Sequence, residues 1–226
     1  MVKLNAKELR VSEPTKEDLA KIKRREIYII CDNVLDTYNI GSIFRLADAV
    51  AAKCVYLCGQ SETPPNSRIS KASIGTDKWV PWEYTSTAVE AIEDVRKRHS
   101  RLDRESRSID SRPSVLSSGS KDFRGNDITG AHSRSARSFD RSHSGSELRI
   151  IAIEQSKKSV DFRKINYQEL VTRNQALVFV VGHETEGVSK EALKLADEIV
   201  EIPMFGVNKS LNVMVSLAIV VYQAIG

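Results

Sequence analysis

Five short apolar runs, rich in β-branched residues, recur along the chain and end in polar or glycine residues: Ile27–Cys31, Lys53–Gly59, Leu148–Gln155, Ala176–Gly182 and Glu198–Pro203. Most are apolar at consecutive rather than alternate positions. A strand of that kind has no face for water, so it belongs in the middle of a sheet covered on both sides. Single strands alternating with helical segments are joined in parallel, because each helix returns the chain to the same edge. The pattern predicts an α/β fold, a parallel sheet with helices on both faces. Ligands of such sheets collect outside the carboxyl ends of the strands, so polar residues just past each run are the first functional candidates.

The intervening segments read as follows. Ile40, Ile43, Phe44, Ala47 and Val50 form one stripe of a helix, which turns Arg45 and Asp48 away from the core. Residues 60–81 form a polar connection long enough to be expected to be functional or disordered. Thr87–His99 is an amphipathic helix with Val89, Ala91, Ile92 and Val95 inside. Asn166 opens a short helix to Thr172, Ser189–Asp197 is another, and Ser210–Ile225 is a closing helix that is apolar almost throughout.

Two stretches fall outside this pattern. Residues 1–25 are polar and basic, with Thr15 and Asp18 spaced as a capping pair, and are expected to form a helical extension. Residues 100–147 are dominated by serine and arginine with few large apolar groups. Such a segment buries too little to offset its ordering entropy, so a disordered insertion is expected within one domain spanning 26–226. Its arginines, among them Arg101, Arg104, Arg107, Arg134, Arg137 and Arg141, have the charge for a nucleic-acid backbone, although a passive linker is the plainer reading.

Composition narrows the classes. The formal net charge of +4 suits a nucleic-acid partner without requiring one. Cys31, Cys54 and Cys58 lie in apolar runs without zinc spacing, which predicts buried thiols in a reducing compartment and no metal. The apolar run Leu211–Ile225 is shorter than the roughly 20 residues a membrane span needs. A cytoplasmic protein with no membrane association is expected.

Three strand-end segments carry chemistry-bearing residues. Asn39 and Arg45 follow the first strand. Gly182-x-Glu184-x-x-Gly187 follows the fourth, and Ser210-Leu211-Asn212 follows the fifth. Glycines beside an acidic residue let backbone approach a ligand closely. Ser210 and Asn212 are equally suited to capping the closing helix, and His183 reads as structural or exposed.

Taken together, Asn39-Ile40-Gly41-Ser42-Ile43-Phe44-Arg45-Leu46-Ala47-Asp48-Ala49, Gly182-His183-Glu184-Thr185-Glu186-Gly187-Val188-Ser189, and Ile202-Pro203-Met204 with Ser210-Leu211-Asn212-Val213 resemble the three motifs of the TrmH (SpoU) family of RNA ribose 2′-O-methyltransferases, of the SPOUT class. Ala51-Ala52 stands where that family often ends its first helix with glycine. The resemblance implies a C-terminal trefoil knot, a homodimer and an RNA substrate, tRNA or rRNA. It implies S-adenosyl-L-methionine as cofactor, held around Leu177, Gly182, Ile202, Met204, Ser210 and Leu211. It also implies catalytic roles for Arg45, Asn39, Glu184, Ser210 and Asn212. Arg45 would be the proton acceptor, or a clamp on the phosphate beside the target ribose. The competing readings are a non-catalytic RNA-binding or assembly protein that kept the fold, and methylation of a base in place of a ribose.

Overall fold

A computed structural model describes residues 7–9, 13–110, 148–167 and 175–226, with side chains left out over 102–110. Residues 111–147 of the serine-arginine stretch, and most of the helix expected over Asn166–Thr172, lie outside the described residues. The strands are β1 (Arg25–Asp32), β2 (Ala52–Cys58), β3 (Trp82–Thr85), β4 (Leu148–Ile153), β5 (Val160–Asp161), β6 (Ala176–Gly182) and β7 (Glu198–Glu201). They form one sheet in the order β3-β2-β1-β6-β4-β7-β5, and every pairing is parallel.

The sheet buries both faces, as expected of strands with consecutive apolar residues. Ile27, Ile29 and Cys31 of β1 and Leu177, Phe179 and Val181 of β6 face one core. Tyr28, Ile30, Val178 and Val180 face the other. The first core is closed by α2 (Thr37–Ala49), α3 (Ser67–Ser73) and α6 (Val213–Ile225), where Ile40, Ile43, Phe44, Ile69, Leu217, Val220 and Val221 are fully buried. The second is closed by α4 (Ala88–Asp110) and α5 (Lys190–Leu195), through Ala91, Ile92, Val95 and Ala192. Truncating one of the large central side chains, such as Phe179, costs about 3–5 kcal/mol in a core of this kind.

Three expectations change. Helix α4 runs to Asp110, so residues 100–110 of the stretch expected to be disordered are helical. Residues 60–81 are not a loose connection, because they hold α3 and a 3-10 turn at Thr76–Lys78 packed on α2. Gly41 makes that packing close: a Cβ there would lie 2.6 Å from the Ala72 side chain and the Ile69 carbonyl oxygen. Two short edge strands, β3 and β5, extend the sheet beyond the expected five. The small N-terminal helix α1 (Lys16–Ala20) is capped by the Thr15 side chain, as the Thr15/Asp18 spacing predicts. No helix among the described residues is long and apolar enough to cross a membrane.

Candidate active site

Registry at the centre of the sheet sets the site. Asp32, which closes β1, pairs with Gly182, which closes β6, and β4 ends alongside them. The chain segments leaving these strands therefore meet over one edge. There they enclose a cleft of about 760 Å³, lined by Asn39, Glu154, Gly182, Glu184, Ile202, Met204, Ser210, Leu211 and Asn212 among others.

A relay of hydrogen bonds ties the three strand-end segments together. The Glu184 carboxylate accepts from Asn39 Nδ2 at 3.0 Å and from the backbone N–H groups of Leu35 and Asp36 at 3.2 and 3.1 Å. Asn39 Oδ1 in turn accepts from Asn212 Nδ2 at 2.8 Å. Asn212 Oδ1 accepts from Met214 and Val215 N–H at the first turn of α6. Because a carboxylate only accepts, its position orients the Asn39 amide, which orients Asn212, which leaves its oxygen to cap the helix. Capping and site-building are thus one role for Asn212. Burial pushes the Glu184 carboxyl up, but the hydrogen bonds from Asn39, from its own N–H, and from Leu35 and Asp36 outweigh that and hold it below the ordinary glutamate range.

Both glycines of Gly182-x-Glu184-x-x-Gly187 are sterically required. The loop closes on itself through His183 N–H to Gly187 O (3.1 Å) and Gly187 N–H to His183 O (2.9 Å). A Cβ at Gly182 would sit 2.1 Å from the Gly187 carbonyl carbon. One at Gly187, where φ is +74°, would sit 2.1 Å from Glu154 Oε2. His183 is structural here, its Nδ1 accepting from Thr185 and Glu186 N–H at 3.0 and 3.2 Å.

Two residues that pattern-reading missed hold this loop. Glu154, just past β4, accepts from Val188 N–H at 2.8 Å. Asp32, only 2% exposed, accepts from Ser189 N–H at 2.8 Å and so fixes the start of α5 against the end of β1. A single acid after a strand has no spacing signature. Its position at a strand's carboxyl end was the only signal available.

The expected site residues divide in three. Asn39, Glu184, Ser210 and Asn212 come together at the cleft, with Gly182, Ile202, Met204 and Leu211. Leu177 does not: it lies five residues before the end of β6, about 16 Å back along the strand, and is 2% exposed in the core. Arg45 is exposed on α2 and is not among the cleft residues of the single chain.

The arrangement defines an α/β protein with the architecture of SpoU-type methyltransferases. The crystal structure of the Aquifex aeolicus TrmH/SpoU tRNA modifying enzyme superimposes with a TM-score of 0.60 at 24% identity, covering 97% of this chain and 80% of that one. The SpoU methyltransferase AviRb from Streptomyces viridochromogenes, in complex with AdoMet, gives 0.59 at 20% identity, with 94% and 65% covered. The chain belongs to the SpoU rRNA Methylase family, which matches residues 26–120 and 126–222. It is 41% identical over 205 residues to the tRNA (guanosine(18)-2′-O)-methyltransferase of Escherichia coli K12, covering 89% of this chain but 64% of the relative's length.

Proposed function

We propose that this chain transfers a methyl group from S-adenosyl-L-methionine to a ribose 2′-hydroxyl of tRNA or rRNA, through one catalytic domain spanning residues 26–226. The observation that carries the reading is the relay Glu184–Asn39–Asn212 over the strand-end cleft in a SpoU-family chain.

The cleft fits the cofactor. Its volume lies within the range of small-molecule sites. Gly182 and Gly187 leave backbone rather than side chain at its wall, and Ile153, Val181, Val200, Ile202 and Leu211 give it an apolar side suited to a purine. Glu154, Glu184 and Glu201 line it as well, which favours a cationic ligand. Backbone around Gly182, Ile202, Met204 and Leu211 would hold the adenosine and methionine parts. When bound, the cofactor supplies an electrophilic sulfonium methyl, so the protein's work is to aim a hydroxyl oxygen and relieve it of its proton.

Arg45 takes the RNA side of that work by engaging the phosphate beside the target ribose. It reaches a cleft across a homodimer. Val215, Ile219 and Tyr222 recur along one face of α6 and are 38%, 36% and 52% exposed. Tyr38, seven residues before Arg45 and hence on the same side of α2, is 52% exposed. A second copy covering these residues would carry each Arg45 toward the partner's cleft. The C-terminal part of the chain forms the trefoil knot of the class, and the protein works in the cytoplasm.

The test is transfer of labelled methyl from S-adenosyl-L-methionine to unmodified tRNA and rRNA, with nuclease digestion and mass analysis of the product. Methyl on ribose, lost in Arg45→Ala while cofactor binding persists, is the expected result. Calorimetry showing no binding of the cofactor would favour the non-catalytic reading, and methyl on a base would overturn the ribose assignment.

A further inference from the structure

Beyond the cleft itself, the turn Ser156-Lys157-Lys158-Ser159 stands at its rim, immediately after Glu154 and Gln155, which line it. Two adjacent lysines on a surface turn are ordinarily just solvated. This turn differs in how firmly it is built. Ser156 N–H donates to Ser159 Oγ at 3.1 Å, Lys158 N–H donates to Ser156 Oγ at 3.2 Å, and Ser159 N–H donates to the Ser156 carbonyl at 3.2 Å. The Ser159 hydroxyl lies 2.6 Å from the Ser156 carbonyl oxygen and 2.8 Å from Glu201 Oε2, with one proton to give to either. The turn is thereby fastened to the end of β7, which is itself part of the cleft wall.

The second observation concerns charge. Three carboxylates close in sequence or bonded to the turn have partners other than these lysines: Glu154 accepts from Val188 and Gln155 N–H, Glu201 from Ser159, and Asp161 from Arg163. Lys157 and Lys158 are both exposed, and neither ammonium group has an ion-pair or hydrogen-bond partner among the described residues. The fold holds two exposed cations, neither paired with a particular carboxylate among the described residues, on a fastened turn beside a cleft lined by Glu154, Glu184 and Glu201.

We infer that the Ser156–Ser159 turn is an RNA-backbone contact, with Lys157 and Lys158 each engaging a substrate phosphate and so setting the path of the RNA past the methyl-transfer cleft. The inference rests on the proposed function. Phosphate contacts of this type position a nucleic acid without reading its bases, so the turn governs RNA affinity and register and leaves cofactor binding alone. Each contact releases condensed counterions, which makes its share of binding dependent on salt.

The experiment compares the full chain with Lys157→Ala/Lys158→Ala and Lys157→Arg/Lys158→Arg, measuring affinity for an unmodified tRNA transcript across a salt series. Loss of two contacts weakens binding about 10- to 30-fold near 0.15 M salt and lowers the slope of log K against log salt by about 1.4–1.8 units. The arginine pair keeps both quantities close to wild type, and all three proteins bind S-adenosyl-L-methionine alike. A wild-type chain that binds and methylates RNA, with an alanine variant of the same affinity and salt slope, would overturn the turn's role alone. A wild-type chain that takes up no RNA at any salt would overturn both the turn and the function it serves.

Discussion

Asn212 donates its side-chain amide to Asn39 Oδ1 at 2.8 Å across 173 positions of sequence, while its own Oδ1 caps α6. The two halves of one side chain can therefore be tested separately. Asn212→Ala removes both and should cost about 1 kcal/mol of stability through the lost cap, together with methyl transfer. Asn212→Asp keeps a capping oxygen but sets a second acceptor against Asn39 Oδ1. Asn39 cannot turn over in response, since its oxygen would then face the Glu184 carboxylate. Denaturation should find the aspartate variant nearer wild type than the alanine variant, and transfer assays should find both deficient. An aspartate variant with full turnover would show that the relay has no part in the reaction.

The Glu184 carboxyl, held below its ordinary range, makes part of the stability depend on pH. For a carboxylate depressed in the folded state, the contribution is fully present above the unfolded value, roughly 4.3–4.5, and is lost as pH falls through the folded value. Glu184→Gln removes that dependence. The gap in unfolding free energy between wild type and Glu184→Gln should be widest near neutral pH and shrink below about pH 4. Urea titrations at several pH values measure it, and a gap that widened toward acid would contradict the hydrogen-bonding account.

Much of the scaffold was legible because it follows from periodicity. β1 is apolar from Ile27 through Cys31 and β6 from Ala176 through Val181, and a two-sided sheet follows from that directly. Helix α3 was hidden for the opposite reason. Seven residues carry too little pattern, and its stability comes from the Asn66 cap, the buried Ser73–Asp77 hydrogen bond and contact with Gly41, which is a tertiary effect. At the site, side chains that mark strand ends were readable, whereas Asp32 and Glu154 act on backbone groups 157 and 34 residues away. Leu177 was named through the family resemblance, and it lies inside β6 behind the residues that line the cleft.

Ala51 offers a simple check on backbone strain. It follows the end of α2 with φ of +52°, a left-handed conformation that costs a residue with a Cβ about 1–2 kcal/mol and that glycine commonly takes after a helix. Its N–H and carbonyl are both used, toward Asp48 O and from Arg25 N–H, so the geometry is held in place by its neighbours. Ala51→Gly should raise stability by a few tenths to about 1 kcal/mol after the extra freedom of glycine in the unfolded chain is counted. Chemical denaturation showing a loss would mean that the neighbouring contacts relieve the strain.

Gly182 and Gly187 answer differently to alanine. At Gly182 the added carbon meets backbone of the Gly187 turn, which cannot withdraw without opening the loop, so Gly182→Ala should cost more than the 1–3 kcal/mol usual for overpacking. At Gly187 it meets the Glu154 carboxylate, a side chain that can move. Adding Glu154→Ala to Gly187→Ala should recover part of the loss but not the part due to φ of +74°. A double-variant cycle by urea denaturation separates the two, and strict additivity would deny the contact.

The placement of Arg45 outside its own chain's cleft permits a decisive mixing experiment. If Arg45 serves the partner's cleft, Arg45→Ala and Asn212→Ala are each inactive as homodimers for different reasons. In a mixed dimer, the Arg45→Ala subunit keeps an intact cleft and receives an intact arginine from the other subunit, while the second cleft has neither. Unfolding and refolding the two variants together should restore about a quarter of wild-type transfer, since random pairing makes half the dimers mixed with one working site each. An arginine acting within its own subunit leaves both sites of every mixed dimer defective, so absence of recovery in dimers shown to have exchanged subunits would assign Arg45 to its own chain.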